Sequence, residues 1–90
     1  MGKYVSKGKT IMYTDPMKNA FRSLAHFAPK GFVVQIIDND NFITVKASEK
    51  AFMSLSHDGK RQAVEYMIRV KKAFEDNGAI VLLVREGGAE

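Results

Sequence analysis

The sequence predicts an α+β fold, a two-layer sandwich in which a mixed sheet carries helices on one of its faces. Three observations lead to this prediction. The run Ala79–Val84 has no polar interruption, two runs rich in β-branched residues flank a polar turn at 38–41, and two segments have apolar residues at helical spacing. The predicted element order is β-α-β-β-α-α-β.

Composition indicates an ordinary folded protein. The 90 residues fit one domain (1–90), with residues 1–8 as a basic N-terminal arm and 87–90 as a flexible tail, and they are 46% hydrophobic and 27% charged. The absence of cysteine excludes disulfides and thiolate chemistry and favours a reducing, cytoplasmic location. The longest apolar run is far too short for a membrane span.

The first third of the chain predicts a strand followed by a helix. Residues 9–14 are β-branched and aromatic, as strands are. Asp15 is expected to cap a helix that has Pro16 at its first position and ends at Pro29. Its core-facing stripe is predicted to contain Met17, Ala20, Phe21, Leu24, Phe27 and Ala28, which leaves Lys18 and Arg22 on a basic outer face.

The middle of the chain predicts a hairpin from residues 32–37 and 42–47. Alternation in its second strand places Ile43, Val45 and Ala47 on the core face and Phe42, Thr44 and Lys46 on the other.

Two helices are predicted after the hairpin. Ser48 and Glu49 begin a short one, and Ser56 or Asp58 caps a long one over about residues 60–76. The core stripe of the long helix is expected to be Ala63, Met67, Val70 and Phe74, flanked by Val64 and Ile68, and Gly78 closes the helix.

The C-terminal run Ala79–Val84 is predicted to be the central strand of the sheet, covered on both faces. Because three helices cannot cover both faces of a four-stranded sheet, one sheet face is expected to need a partner, a second copy or a ligand. The functional hypotheses below depend on this central placement.

From the first helix onward, the element order resembles that of type II KH domains and BolA-like proteins. In KH domains a loop between the two central helices approaches the nucleic-acid backbone. The matching position here is Ser56-His57-Asp58-Gly59, followed by Lys60 and Arg61, so the resemblance implies nucleic-acid contacts there. Ser48, Glu49 and Phe52 are comparable to residues of BolA-like proteins, whereas Ala79 stands where those proteins have a histidine.

No catalytic, metal or cofactor signature is found, so we expect a protein that is not an enzyme. Ser56, His57 and Asp58 are adjacent at a helix start and point in divergent directions, which favours capping over a triad. Asp38 and Asp40 supply only two ligands of a calcium loop and fit a turn better.

The net charge of +4 is concentrated in residues 1–30, which hold six basic residues against one acid. This bias favours a polyanionic partner. The first hypothesis is therefore a small accessory protein that binds nucleic acid or has a regulatory role, with Phe42 stacking on bases unless a second subunit or the N-terminal arm buries it. Its predicted contacts are Lys3, Lys7, Lys9, Lys18, Arg22, Phe42, Lys46, Lys60 and Arg61. The alternative is a protein-interaction module, or a homodimeric adaptor or inhibitor, that uses the apolar sheet surface.

Overall fold

A computed structural model describes residues 13–86 and, for residues 5–6 and 9–10, the backbone. Its strands are β1 (Val5–Ser6), β2 (Lys9–Thr10), β3 (Val34–Asp38), β4 (Ile43–Ser48) and β5 (Val81–Glu86). Its helices are α1 (Asp15–Ser23), α2 (Glu49–Met53) and α3 (His57–Asp76), with a short 3-10 helix at Ala25–Phe27. The α+β class and the mixed sheet are confirmed.

The main sheet has three strands in the order β3-β4-β5. A tight turn makes β3 antiparallel to β4, and the crossover through α2 and α3 brings β5 back parallel to β4. The turn before β4 therefore determines one of its neighbours, and the crossover after it determines the other.

The core lies between the sheet and the helices. Ile43 and Val45 have no exposed surface, and Ala47 is buried beside them, as the alternation in this strand predicted. From α3, Ala63, Met67, Val70 and Phe74 close the core, also as predicted. The Phe74 ring contacts Tyr13 and Phe21, which joins α1 and the segment before it to the end of α3.

Local chemistry sets both ends of α3. The Gly59 N–H donates to Ser56 Oγ (3.0 Å), so Ser56 is the cap. At the other end Gly78 has φ +93°, a left-handed conformation that glycine adopts without a steric penalty, and the chain then enters β5.

The prediction that Ala79–Val84 forms the central strand is wrong. The strand is β5, it starts at Val81, and it lies at the edge of the sheet with β4 as its neighbour. Leu82 is 51% exposed. The hydrophobic pattern correctly indicates a strand, but it carries no information about which strands lie beside it. A central position of β5 therefore supports neither functional hypothesis, and the strand bears on function only through the edge position that it occupies.

Two predictions about the N-terminal third also need correction. The sheet does not have four strands among the described residues, since β2 pairs with β1 in a separate two-stranded sheet. The first helix ends at Ser23 and continues as the 3-10 helix, and its cap position is Thr14, with Asp15 already in the first turn. Residues 11–12 of the predicted first strand lie outside the described residues.

Candidate functional site

An apolar groove runs between α3 and β5. Val64 and Ile68, one helical turn apart on α3, are 45% and 53% exposed because the apolar stripe of α3 is wider than the core requires. Phe52 from α2 and Leu83 from β5 line the groove with them, together with Met67 and Arg85. The groove has a volume of about 370 Å³, enough for several side chains of a partner.

The free edge of β5 forms one border of this groove. The Ile43 N–H donates to the Ile80 oxygen (2.8 Å), which sets the alternation of the backbone groups along β5. Residues 80, 82, 84 and 86 therefore direct their N–H and C=O groups towards β4, and Val81, Leu83 and Arg85 direct theirs away from it. No strand within the described part of the chain pairs with this outer edge.

The edge also lacks the features that usually prevent strand pairing. It contains no proline, and its two charged residues are at the C-terminal end. Arg85 is held over the Phe52 ring (4.3 Å) and pairs with Glu49 (3.2 Å). Glu86 pairs with Lys46 (2.7 Å). The stretch Val81–Val84 is thus uncharged and has open backbone groups.

The sheet face away from the helices is apolar along β5. Leu82 and Val84 project from it, since they pair in register with Thr44 and Lys46 of β4. The edge strand therefore has apolar side chains towards the groove and also on the opposite face.

Two cations stand at one end of the groove. Lys60 and Arg61 line an adjoining pocket that shares Phe52, Val64 and Ile68 with the groove and also includes Glu65. Neither forms an ion pair with another described residue. They follow the first turn of α3, where the Gly59 amide already bonds to Ser56 Oγ. A phosphate at this turn would therefore interact with the side chains of Lys60 and Arg61 and could not use the Gly59 amide.

The structure does not bring the described members of the predicted nucleic-acid set to one place. Lys18 and Arg22 are on α1, whose end packs near Lys72 of α3. Lys60 is twelve residues before Lys72, which is about 18 Å along a helix.

Several of these side chains also have other partners. Lys18 is 3.9 Å from Asp15, Arg22 donates to Asn19 Oδ1 (3.2 Å), and Lys46 is paired with Glu86. Phe42 is half-buried. The side chains of Lys3, Lys7 and Lys9 lie outside the described residues. Among the described members of the predicted set, Lys60 and Arg61 alone border the pocket that adjoins the groove.

The residues whose side chains were considered for metal binding or catalysis have structural roles. Asp38 accepts from the backbone N–H of Asp40 (3.0 Å), as turn chemistry predicted, and also from that of Tyr13 (2.8 Å), which lies far away in the chain. Burial raises the pKa of Tyr66, and the neighbouring Tyr13 raises it further. Within residues 13–86 no cluster of three or more metal-binding side chains is present.

Sequence reasoning missed Val64 and Ile68 as surface residues, because it treated them as the flank of the core stripe. The signal was present: the apolar residues of α3 cover more of the helix circumference than a single buried stripe needs. Arg85 was missed because its contact with Phe52 joins residues far apart in the chain.

No helix in the described ranges is long and apolar enough to span a membrane. Comparison of the chain with known protein families, with curated proteins and with solved structures found no match.

Proposed function

We propose that this protein is a non-enzymatic protein-interaction module whose partner adds a strand to β5. The observation that carries the proposal is the continuity of the uncharged edge Val81–Val84 with the groove of Val64 and Ile68. Strand addition combines main-chain hydrogen bonds at an open edge with pockets for alternate side chains of the added segment.

Physical chemistry favours an extended segment as the ligand. Alternate residues of β5 direct unpaired N–H and C=O groups outward, and a partner strand satisfies them. Every second side chain of that strand then contacts the groove, where burial of each large apolar side chain contributes about 1.5–3 kcal/mol. The others lie beside Leu82 and Val84 on the opposite face.

The test uses two matched variants and a panel of short extended peptides with apolar residues. Ile68→Glu puts a carboxylate into the groove. Val33→Glu, the control, puts a carboxylate at an exposed position beside β3, at the far side of the sheet. We expect NMR shifts on titration to concentrate in β5 and α3, and Ile68→Glu to weaken binding about tenfold or more, a change of 1.4 kcal/mol or more. Equal effects of the two variants, or shifts on other elements, would contradict the proposal.

A second candidate function is the binding of single-stranded nucleic acid, favoured by the free cations Lys60 and Arg61 beside an apolar surface. Its test is the affinity for short single-stranded oligonucleotides as a function of salt. The double variant Lys60→Ala/Arg61→Ala should reduce the salt slope by about two, whereas Lys71→Ala/Lys72→Ala, with the same change in charge, should leave it unchanged. Absence of binding to DNA and RNA at low salt would exclude this function.

A further inference from the structure

β5 is more apolar than an edge strand requires. Val81 and Leu83 face the helix layer, and Leu82 and Val84 face the other side. Strands with apolar residues on both faces are typical of sheet interiors. In the single chain this strand is at the margin, with Leu82 half-exposed.

We propose that the partner at this edge is a second copy of the chain, paired antiparallel through β5 about a two-fold axis perpendicular to the sheet. The inference rests on the proposed function and names its partner. The pair forms a continuous six-stranded sheet, β3-β4-β5-β5-β4-β3, in which the two β5 strands are central. This arrangement supplies the interior position that the hydrophobic pattern of residues 79–84 predicts.

A register centred on Leu83 satisfies the open backbone groups of the strand. Opposed residues of an antiparallel pair lie on the same face, so only residues of the same face can meet. With Leu83 opposite Leu83 of the second copy, Leu82 lies opposite Val84 and Val81 opposite Arg85. The outward-directed groups of Val81, Leu83 and Arg85 then all form cross-strand hydrogen bonds.

The charges of β5 are compatible with this register. Arg85 meets Val81 and Glu86 meets Ile80, so like charges do not oppose each other. Moving the centre by two residues to position 85 would set Arg85 against its own copy, which is unfavourable. The register centred on Leu83 is thus compatible with both the charges and the hydrogen bonds of β5.

The groove is covered in the same arrangement. A two-fold axis perpendicular to the sheet keeps both helix layers on one side. α3 packs on the sheet beside β5, so the two copies of α3 flank the new strand pair, with Val64 and Ile68 of each directed towards the other. Each copy supplies apolar surface to the groove of the other.

The test exploits the absence of native cysteine. In this register the Cα atoms of position 83 in the two copies are about 5.5 Å apart, within the range of a disulfide, whereas those of position 82 are about 8 Å apart. Leu83→Cys should form a disulfide-linked dimer under mild oxidation, and the matched variant Leu82→Cys should not. Sedimentation of the native chain should give a dimer at high concentration, and the amides of Leu83 and Arg85 should exchange more slowly there than on dilution.

The outcomes separate this inference from the proposed function. A native chain that stays monomeric at high concentration overturns the inference, and the proposed function survives if peptides still bind at β5. A dimer with rapid exchange at Leu83 and Arg85 overturns the inference even if Leu83→Cys fails to fold. A monomer that also binds no peptide at β5 removes both.

Discussion

β4 and β5 are adjacent, parallel and equal in length, yet the polarity of their outer-face side chains is the reverse of what their positions in the sheet would suggest. β4 includes Thr44 and Lys46 on its outer face and is central, whereas β5 has Leu82 and Val84 there and is the edge. The more polar of the two strands is thus the one with a strand on each side. The position of a strand in the sheet is set by the chain segments that connect it to its neighbours, and not by its polarity. The apolar side chains on the outer face of β5 therefore mark a surface available to a partner.

The largest expected effect separates the two strands directly. Ile43→Ala in β4 should lower the free energy of unfolding by about 2–5 kcal/mol, because the fully buried side chain leaves a cavity. Leu82→Ala in β5 should cost about 1 kcal/mol or less, since half of that side chain is already exposed. Urea unfolding at low protein concentration measures both. Equal losses would mean that β5 is as buried as β4 in solution.

A smaller effect concerns the entry into β5. Gly78→Ala should reduce the free energy of unfolding by about 1–2 kcal/mol, because an L-residue is strained at φ +93°. A Cβ at this position would meet no atom within 4 Å, so the cost would come from the backbone. Gly78→Asn is the control and should lose less, since asparagine tolerates this conformation better. If Gly78→Ala leaves the free energy of unfolding in urea unchanged, residue 78 does not have the left-handed conformation in solution.

The smallest effect concerns the ion pair at the end of β5. A double-mutant cycle with Arg85→Ala and Glu49→Ala should give a coupling free energy of about 0.2–1 kcal/mol that falls with added salt, because both side chains are partly exposed. A coupling of several kcal/mol would indicate that this end of β5 is shielded from water, as it would be beneath a second copy.

Most of the local structure was predictable from the sequence. The start of α2 at Ser48, Ser56 as one of two alternative caps for α3 and the glycine after α3 were identified from short-range chemistry, which acts within one helical turn. The core residues of β4 and α3 followed from spacing, because the period of each element decides which side chains share a face.

The candidate site was much less predictable. Lys60 and Arg61 were predicted as site residues, but Val64, Ile68 and Arg85 were not. A groove exists only where two elements distant in sequence come side by side, and spacing within one element does not reveal its neighbour.

From α1 onward, the sequence by itself determined which segments form helices and strands, and which side of β4 and α3 is buried, because these depend on periodicity and on hydrogen bonds between nearby residues. The tertiary structure alone decided that β5 lies at the margin, with an open edge beside the apolar flank of α3. The physical reason is that strand order depends on how the crossover through α2 and α3 returns the chain to the sheet, and the hydrophobicity of a strand does not encode that path.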